Sequence, residues 1–545
     1  MKLFRLIIFL QTILILSQPF VSAQPVWHTD PYPLNENIDI IHYRFELRLE
    51  DDNEMIKGMA EVTFRIEAPE KKLYLDLSSA DSLGGMTARK VLDGDDELNF
   101  LHENDRLIIQ CPVFHGKDTA MTLNVYYSGI PKDGLIISET KFGDRSFFGD
   151  NWPDRARNWL PCVDHVSDKA TVEFVVDAPG HYEIVSNGYL YRQYEKQGGR
   201  KVNHWKSDVP LPTKVMVIGA AEFSYELAGY AGDVPVQTWV YPQNMKEGFY
   251  DYAPAVGIVD FYTELLGDFA FEKLANVQSK TVYGGMENSG CIFYHENSVT
   301  GRGRVESLLA HEIAHQWFGD AVTEKDWHHV WLSEGFATYL TSVYMDSKPG
   351  NNYLKGGMER SRRRVIESFK RDPKPVIDTS VTDLRRLLNT NSYQKGAWIL
   401  HMLRNEIGDE AFWSGMRLYY ADYKNKNALS EDFMVCMEKS CDRDLKQFFN
   451  QWLYQPGHPV LRNEWAWDEN TNSIRFHCKQ LQEQFIFDFP LELAVVGKDN
   501  RIIADTVIRI AEADESLSWQ VPVKPDNLLI DPGIKLLMEI SKSQN

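Results

Sequence analysis

The stretch Leu308-Leu309-Ala310-His311-Glu312-Ile313-Ala314-His315-Gln316-Trp317-Phe318, followed by Trp331-Leu332-Ser333-Glu334-Gly335-Phe336-Ala337-Thr338-Tyr339, organises the reading of this chain. On a helix, residues four apart share a face, so His311 and His315 can reach one metal ion with Glu312 beside them. The apolar neighbours Leu308, Leu309, Ile313, Ala314, Trp317 and Phe318 predict a buried helix. Burying two histidines and a glutamate without partners would cost on the order of several kcal/mol, so satisfied core histidines are the weaker explanation. A catalytic zinc takes three protein ligands and leaves one position open. Glu334, on a second helix after a turn, is the third candidate. Two histidines and a glutamate make a hydrolytic zinc set, in which the metal activates water and polarises a carbonyl. The pattern therefore predicts one Zn2+ per chain, held by His311, His315 and Glu334, with Glu312 acting on the attacking water. A purely structural zinc site has no use for such an unliganded base, which argues against a catalytically dead, peptide-binding protein.

Just upstream stands Gly284-Gly285-Met286-Glu287-Asn288. Two glycines let a backbone come close to a ligand, and an extended peptide can pair with such a segment by strand addition. Glu287 would then face the free α-ammonium of a peptide. Taken alone the segment is weak, because paired glycines usually mark only a turn.

Outward from this centre the periodicity divides the chain. From Asn37 to about Phe223 it is mainly two, as in His42-Tyr43-Arg44-Phe45-Glu46-Leu47-Arg48-Leu49, and predicts an antiparallel β domain with one wet face. From about Ala253 it shifts toward 3.6, with helices expected near 253–266, 304–318, 332–345, 352–369, 393–407, 411–424 and 445–454. After Gly457-His458-Pro459 strands return, enough for a small sandwich. The expected fold class is multidomain α+β. It places a signal at 1–23, an N-terminal antiparallel β domain at 24–225, a zinc catalytic domain at 226–458 and a C-terminal β-sandwich at 459–545.

Composition limits the alternatives. The 545 residues are 43% hydrophobic and 25% charged, which are globular values. The formal net charge of −20, with no basic run to override it, speaks against nucleic acid as a partner. Six cysteines are too few for a disulfide scaffold, and no pairing is required. Lys2 and Arg5, an apolar run from Leu6 to Leu16, and Val21-Ser22-Ala23 read as an export signal cleaved near Ala23. That run would span about 16 Å as a helix, against a hydrocarbon core of about 30 Å. A periplasmic or secreted protein with no stable membrane span after cleavage is expected.

In these motifs the chain resembles the zinc aminopeptidases of the aminopeptidase N and leukotriene hydrolase family. Gly284 to Asn288 resembles the family's exopeptidase motif, and His311 to Glu334 its zinc motif, spacing included. Ser392-Tyr393-Gln394-Lys395-Gly396 resembles the segment of its catalytic tyrosine. Arg155-Ala156-Arg157-Asn158-Trp159-Leu160-Pro161-Cys162 is similar to an N-terminal signature, and Trp452 to Pro459 to the entry of a C-terminal sandwich. The resemblance implies a thermolysin-like fold for the zinc catalytic domain at 226–458 and hydrolysis of the N-terminal residue from peptides with a free N-terminus. In it, Glu312 is general base and then acid, Tyr393 stabilises the oxyanion, and Gly284, Gly285, Met286, Glu287 and Asn288 hold the substrate. A zinc endopeptidase or an epoxide hydrolase on the same site is the alternative. Relatives place a Gln or Glu about five residues before the arginine matching Arg157. Here Trp152 falls nearest, which leaves Asp150 or Asn151 as candidates for the second amine contact. In relatives with a large helical domain, that domain covers the cleft. The strand-rich tail from about Val460 is too short for such a cover, so the carboxyl side of a peptide is expected to run toward solvent. Side-chain preference and oligomeric state stay open.

Overall fold

The structure, a computed structural model, describes residues 34, 36–67, 71–111, 120–350 and 352–541. The proposed signal at 1–23 lies outside them. The period-two segments do form strands. In the N-terminal β domain an eight-stranded sheet runs, in spatial order, through Tyr189–Lys196, Arg200–Pro212, Lys169–Pro179, Ile38–Arg48, Ile56–Ile66, Ala120–Ile130, Gly85–Asp93 and Asp96–Glu97. Tyr43, Phe45 and Leu47 alternate inward and are buried, as the sequence pattern requires. One neighbour pair departs from the antiparallel expectation: Ile38–Arg48 and Lys169–Pro179 run parallel, with Phe45 opposite Phe174. A four-stranded sheet, Glu183–Ser186, Ile218–Ala221, Arg145–Gly149 and Leu135–Glu139, connects this domain to the site.

The catalytic domain opens on a five-stranded sheet ordered Ser224–Ala231, Val234–Val240, Leu274–Ser279, Cys291–His295 and Gly285–Met286. Helices then pack against it. Glu306–His315, Trp331–Asp346, Tyr353–Arg371, Gly396–Ile407 and Asp409–Tyr423 fall where the 3.6 periodicity expects them. Two further helices, Met245–Tyr252 and Ser430–Cys441, had no counterpart in the pattern reading. In the second, Phe433 to Met437 is one unbroken apolar run, which periodicity cannot assign to helix or strand. The C-terminal domain pairs a four-stranded sheet with a three-stranded one. All six cysteines are free thiols. Among the described residues no helix is long and apolar enough to cross a membrane.

Buried polar contacts lock the domains around the site. Lys214 of the N-terminal domain donates to Glu324 at 2.6 Å, and both side chains are buried. Lys169 donates to the carbonyls of Asp320 and Ala321, and Asn187 to that of Ser289. At the other side Gln451 and the Asp488 backbone exchange two hydrogen bonds, and Arg362 pairs with Asp531.

Candidate metal centre and cleft

Helix Glu306–His315 starts with an acid, which suits its positive N-terminal end, and buries Leu309, Ala310, Ile313 and Ala314. Its other face carries His311 and His315 side by side. Helix Trp331–Asp346 packs across it and brings in Glu334 from its first turn. The three donor atoms form a small triangle. His311 Nε2 and His315 Nε2 are 3.3 Å apart, and Glu334 Oε2 lies 3.5 Å from the first and 3.3 Å from the second. Zinc bonds of about 2.0–2.1 Å in a tetrahedron give donor–donor edges of about 3.3–3.4 Å. The triangle is therefore one face of a tetrahedron sized for zinc. Glu334 Oε2 is buried and makes no hydrogen bond among the described residues, as expected of a ligand atom.

His315 is held from behind. Its Nδ1 lies 2.9 Å from Ser333 Oγ and 3.2 Å from the Phe318 carbonyl. A carbonyl only accepts, so Nδ1 carries the proton and the Nε2 lone pair faces the centre of the triangle. No sequence pattern points to Ser333, although it directly precedes Glu334.

Glu312 is 4% exposed and rests against the strand Gly285–Met286. A Cβ on Gly285 would sit 2.3 Å from Glu312 Oε1, so a larger residue there would have to displace the carboxylate. Burial pushes the Glu312 carboxyl well above its usual range; His315 opposes this, and the nearby Glu287 and Glu334 add to it. Such an environment favours a group that takes up a proton and returns it.

Tyr393 lies in a π-helical turn, Asn391–Lys395, that runs into helix Gly396–Ile407. Lys395 N–H reaches back five residues to the Thr390 carbonyl. Gly335 and Gly396 let this turn approach the Glu334 helix, since a Cβ on either would lie 2.9 Å from the other's Cα. The Tyr393 ring stands nearly parallel to His311, centroids 6.1 Å apart. Burial first, then the negative Glu334 and Glu287, raises its phenol far above the usual range, so the hydroxyl stays a donor.

Met286 pairs with Phe293 and Gly285 with Tyr294, while the other side of Gly285–Met286 is the outer edge of the five-stranded sheet. A cavity of about 270 Å³ opens there, lined by Gly284 to Glu287, His311, Glu312, His315, Glu334 and Tyr393. Nine of the ten residues expected in the site thus meet in one cleft. Asn288 is the exception: it is fully buried, does not line the cleft, and its side-chain amide makes no hydrogen bond among the described residues. Gln316, unforeseen although it directly follows His315, ties the pieces together. It donates to the Glu287 carbonyl at 2.8 Å and to Asp320 at 2.9 Å, and accepts from Gly290 N–H at 2.7 Å.

The two candidates for a second amine contact are corrected. Asp150 is buried, pairs with Arg155 and accepts from Thr281 Oγ1 and Val282 N–H at 3.0 Å. Asn151 donates to the carbonyls of Thr213 and Met216 and accepts from Trp159. Both side chains are committed to the protein. Trp152, between them and Arg155, lines the cleft instead.

Comparison with known proteins agrees with this architecture. Residues 40–215 match the peptidase M1 N-terminal domain and residues 250–452 the peptidase family M1 domain. The chain is 28% identical over 361 residues to probable aminopeptidase 2 of Sulfurisphaera tokodaii, covering 63% of this chain and 46% of that one. It is 27% identical over 401 residues to leucyl aminopeptidase of Saccharolobus solfataricus, covering 71% and 49%. Against glutamyl aminopeptidase of Bitis rhinoceros it is 24% identical over 448 residues, covering 77% and 47%. The chain spans about half the length of these curated relatives. A crystal structure of Legionella pneumophila aminopeptidase A, in complex with aspartic acid, superposes with a TM-score of 0.81 at 18% identity, over 94% of this chain and 60% of that one.

Proposed function

The chain belongs to peptidase family M1, and from that premise we propose that it is a zinc-dependent aminopeptidase releasing the first residue of peptides. One observation carries the reading: the zinc-sized triangle of His311, His315 and Glu334 shares its cleft with Glu287 beside a free strand edge. Zinc bound there supplies Lewis acidity to a water and to the scissile carbonyl. The chain's own groups do the rest. The peptide adds a strand against Gly285–Met286, and Glu287 pairs with its α-ammonium, which fixes the first peptide bond over the metal centre. Glu312 takes a proton from the attacking water and returns it to the leaving amine. The Tyr393 hydroxyl donates to the carbonyl oxygen as negative charge develops on it.

Mass spectrometry of a peptide digest tests this. Zinc-loaded protein should shorten the peptide one residue at a time from its N-terminus, and early internal fragments would contradict the reading. Export belongs to the same proposal, supported by Lys2, Arg5, the apolar run Leu6 to Leu16 and Val21-Ser22-Ala23. A mature chain beginning at Gln24 is expected, and an intact Met1 in protein recovered from outside the cytoplasm would refute it.

A further inference from the structure

The wall of the cavity that Glu287 shares departs from the polar residue that the resemblance leads one to expect. Trp152, 2% exposed, stands there with its ring edge-on to Tyr283 at 6.1 Å and to Trp327 at 5.6 Å. Held by two aromatic neighbours, it cannot swing away without breaking both contacts. Tyr283, Met286, Leu308 and Leu388 complete an apolar lining. An indole has one N–H donor and no acceptor, so Trp152 cannot accept a hydrogen bond from an ammonium as Gln or Glu would.

The charges around this lining are equally one-sided. Among the described residues no lysine or arginine lines the cavity, while Glu287, Glu312 and Glu334 do. Two cations pack behind the wall, and both are committed. Arg155 stacks over Tyr283 at 6.0 Å but donates to Asp150, to Asp133 at 2.9 Å and to the Trp152 carbonyl at 2.7 Å. Lys214 lies over Trp327 at 5.2 Å and is paired with Glu324. Arg385, whose charge is felt at Tyr283, is 73% exposed and bound to Asp383, so solvent screens it. A carboxylate entering this space would lose water, find no lysine or arginine to pair with, and share the cavity with Glu287 and Glu312.

We propose that Trp152 is a specificity-determining residue, and that with Tyr283 it forms a pocket for an uncharged, apolar first side chain that turns away an acidic one. This rests on the aminopeptidase reading and narrows its substrate class.

Two measurements on zinc-loaded protein test it. The first is kcat/KM for leucyl, methionyl, glutamyl and aspartyl p-nitroanilides. The second is calorimetric binding of leucinamide and of glutamic acid α-amide, which needs no turnover. Leucyl over glutamyl kcat/KM should exceed about 100-fold, and leucinamide should bind at least about 10-fold more tightly. Trp152→Gln should reduce both ratios at least about 10-fold with zinc content unchanged. Leu388→Lys, which leaves the aromatic wall intact and supplies the missing cation, should raise glutamyl turnover relative to leucyl. Equal use or binding of the acidic and apolar ligands by the unmodified chain would overturn the inference while leaving the aminopeptidase reading standing. Ratios unmoved in both variants would remove Trp152 from the role. Turnover of no substrate, with leucinamide still preferred in binding, would contradict the function and support the pocket.

Discussion

His311, His315 and Glu334 stand with their donor atoms already at the spacing a tetrahedral ion requires. This part of the site was legible in the sequence for a simple reason. The i, i+4 spacing on a helix fixes two ligands relative to each other before any tertiary contact forms. The partners behind them were not legible: Ser333 and Gln316 have polar side chains whose direction only packing decides. At this scale the account separates metal binding from catalysis. His315→Ala should lose zinc, because two ligands hold a divalent ion poorly. Glu312→Gln should keep zinc and lose about 10²–10⁴-fold in kcat, since an amide cannot take the water's proton. Metal analysis beside single-substrate kinetics reads both, and a zinc-free Glu312→Gln protein would mean that Glu312 is a ligand rather than the base.

The turn Asn391–Lys395 shows how an element sets a residue's role. Tyr393 alone reads as an ordinary aromatic; it joins the site because Gly335 and Gly396 let two helices nearly touch. No local pattern reveals such a crossing. The same limit explains the parallel pairing of Ile38–Arg48 with Lys169–Pro179, where each strand alternates correctly but its neighbour is set by long-range contact. The turn also carries Lys395, 2% exposed, whose ammonium has a single long contact of 3.4 Å to the Gln455 carbonyl. Burial lowers its pKa to about 7. The unfolded chain, with lysine near its ordinary value of about 10.4, then binds the extra proton between about pH 7 and 10.4. Lys395 should therefore make stability rise with pH through that window, by up to about 1.4 kcal/mol per pH unit. Lys395→Met should flatten that part of the curve. Denaturation midpoints with identical pH dependence in the two proteins would show that the lysine is solvated or paired.

Over the whole molecule, the cleft is a junction rather than the property of one domain. The N-terminal domain supplies Trp152 to its wall and Lys214 to the buried pair with Glu324. Removing one partner of such a pair leaves an uncompensated buried charge, at a cost of about 3–5 kcal/mol. Lys214→Met should accordingly lower the unfolding midpoint, and Lys214→Met combined with Glu324→Leu should recover much of the loss. A single variant as stable as the parent would show that the junction does not depend on the pair. The central claim, that the cleft reads a free amine at Glu287 and cuts beside it with zinc, is tested most directly by one comparison. The zinc-loaded chain is offered the same leucine-headed peptide with a free and with an acetylated N-terminus. Leucine should be released from the free peptide and not from the acetylated one, and the first activity should be lost when a chelator removes the metal. Equal cleavage of both peptides would contradict that claim.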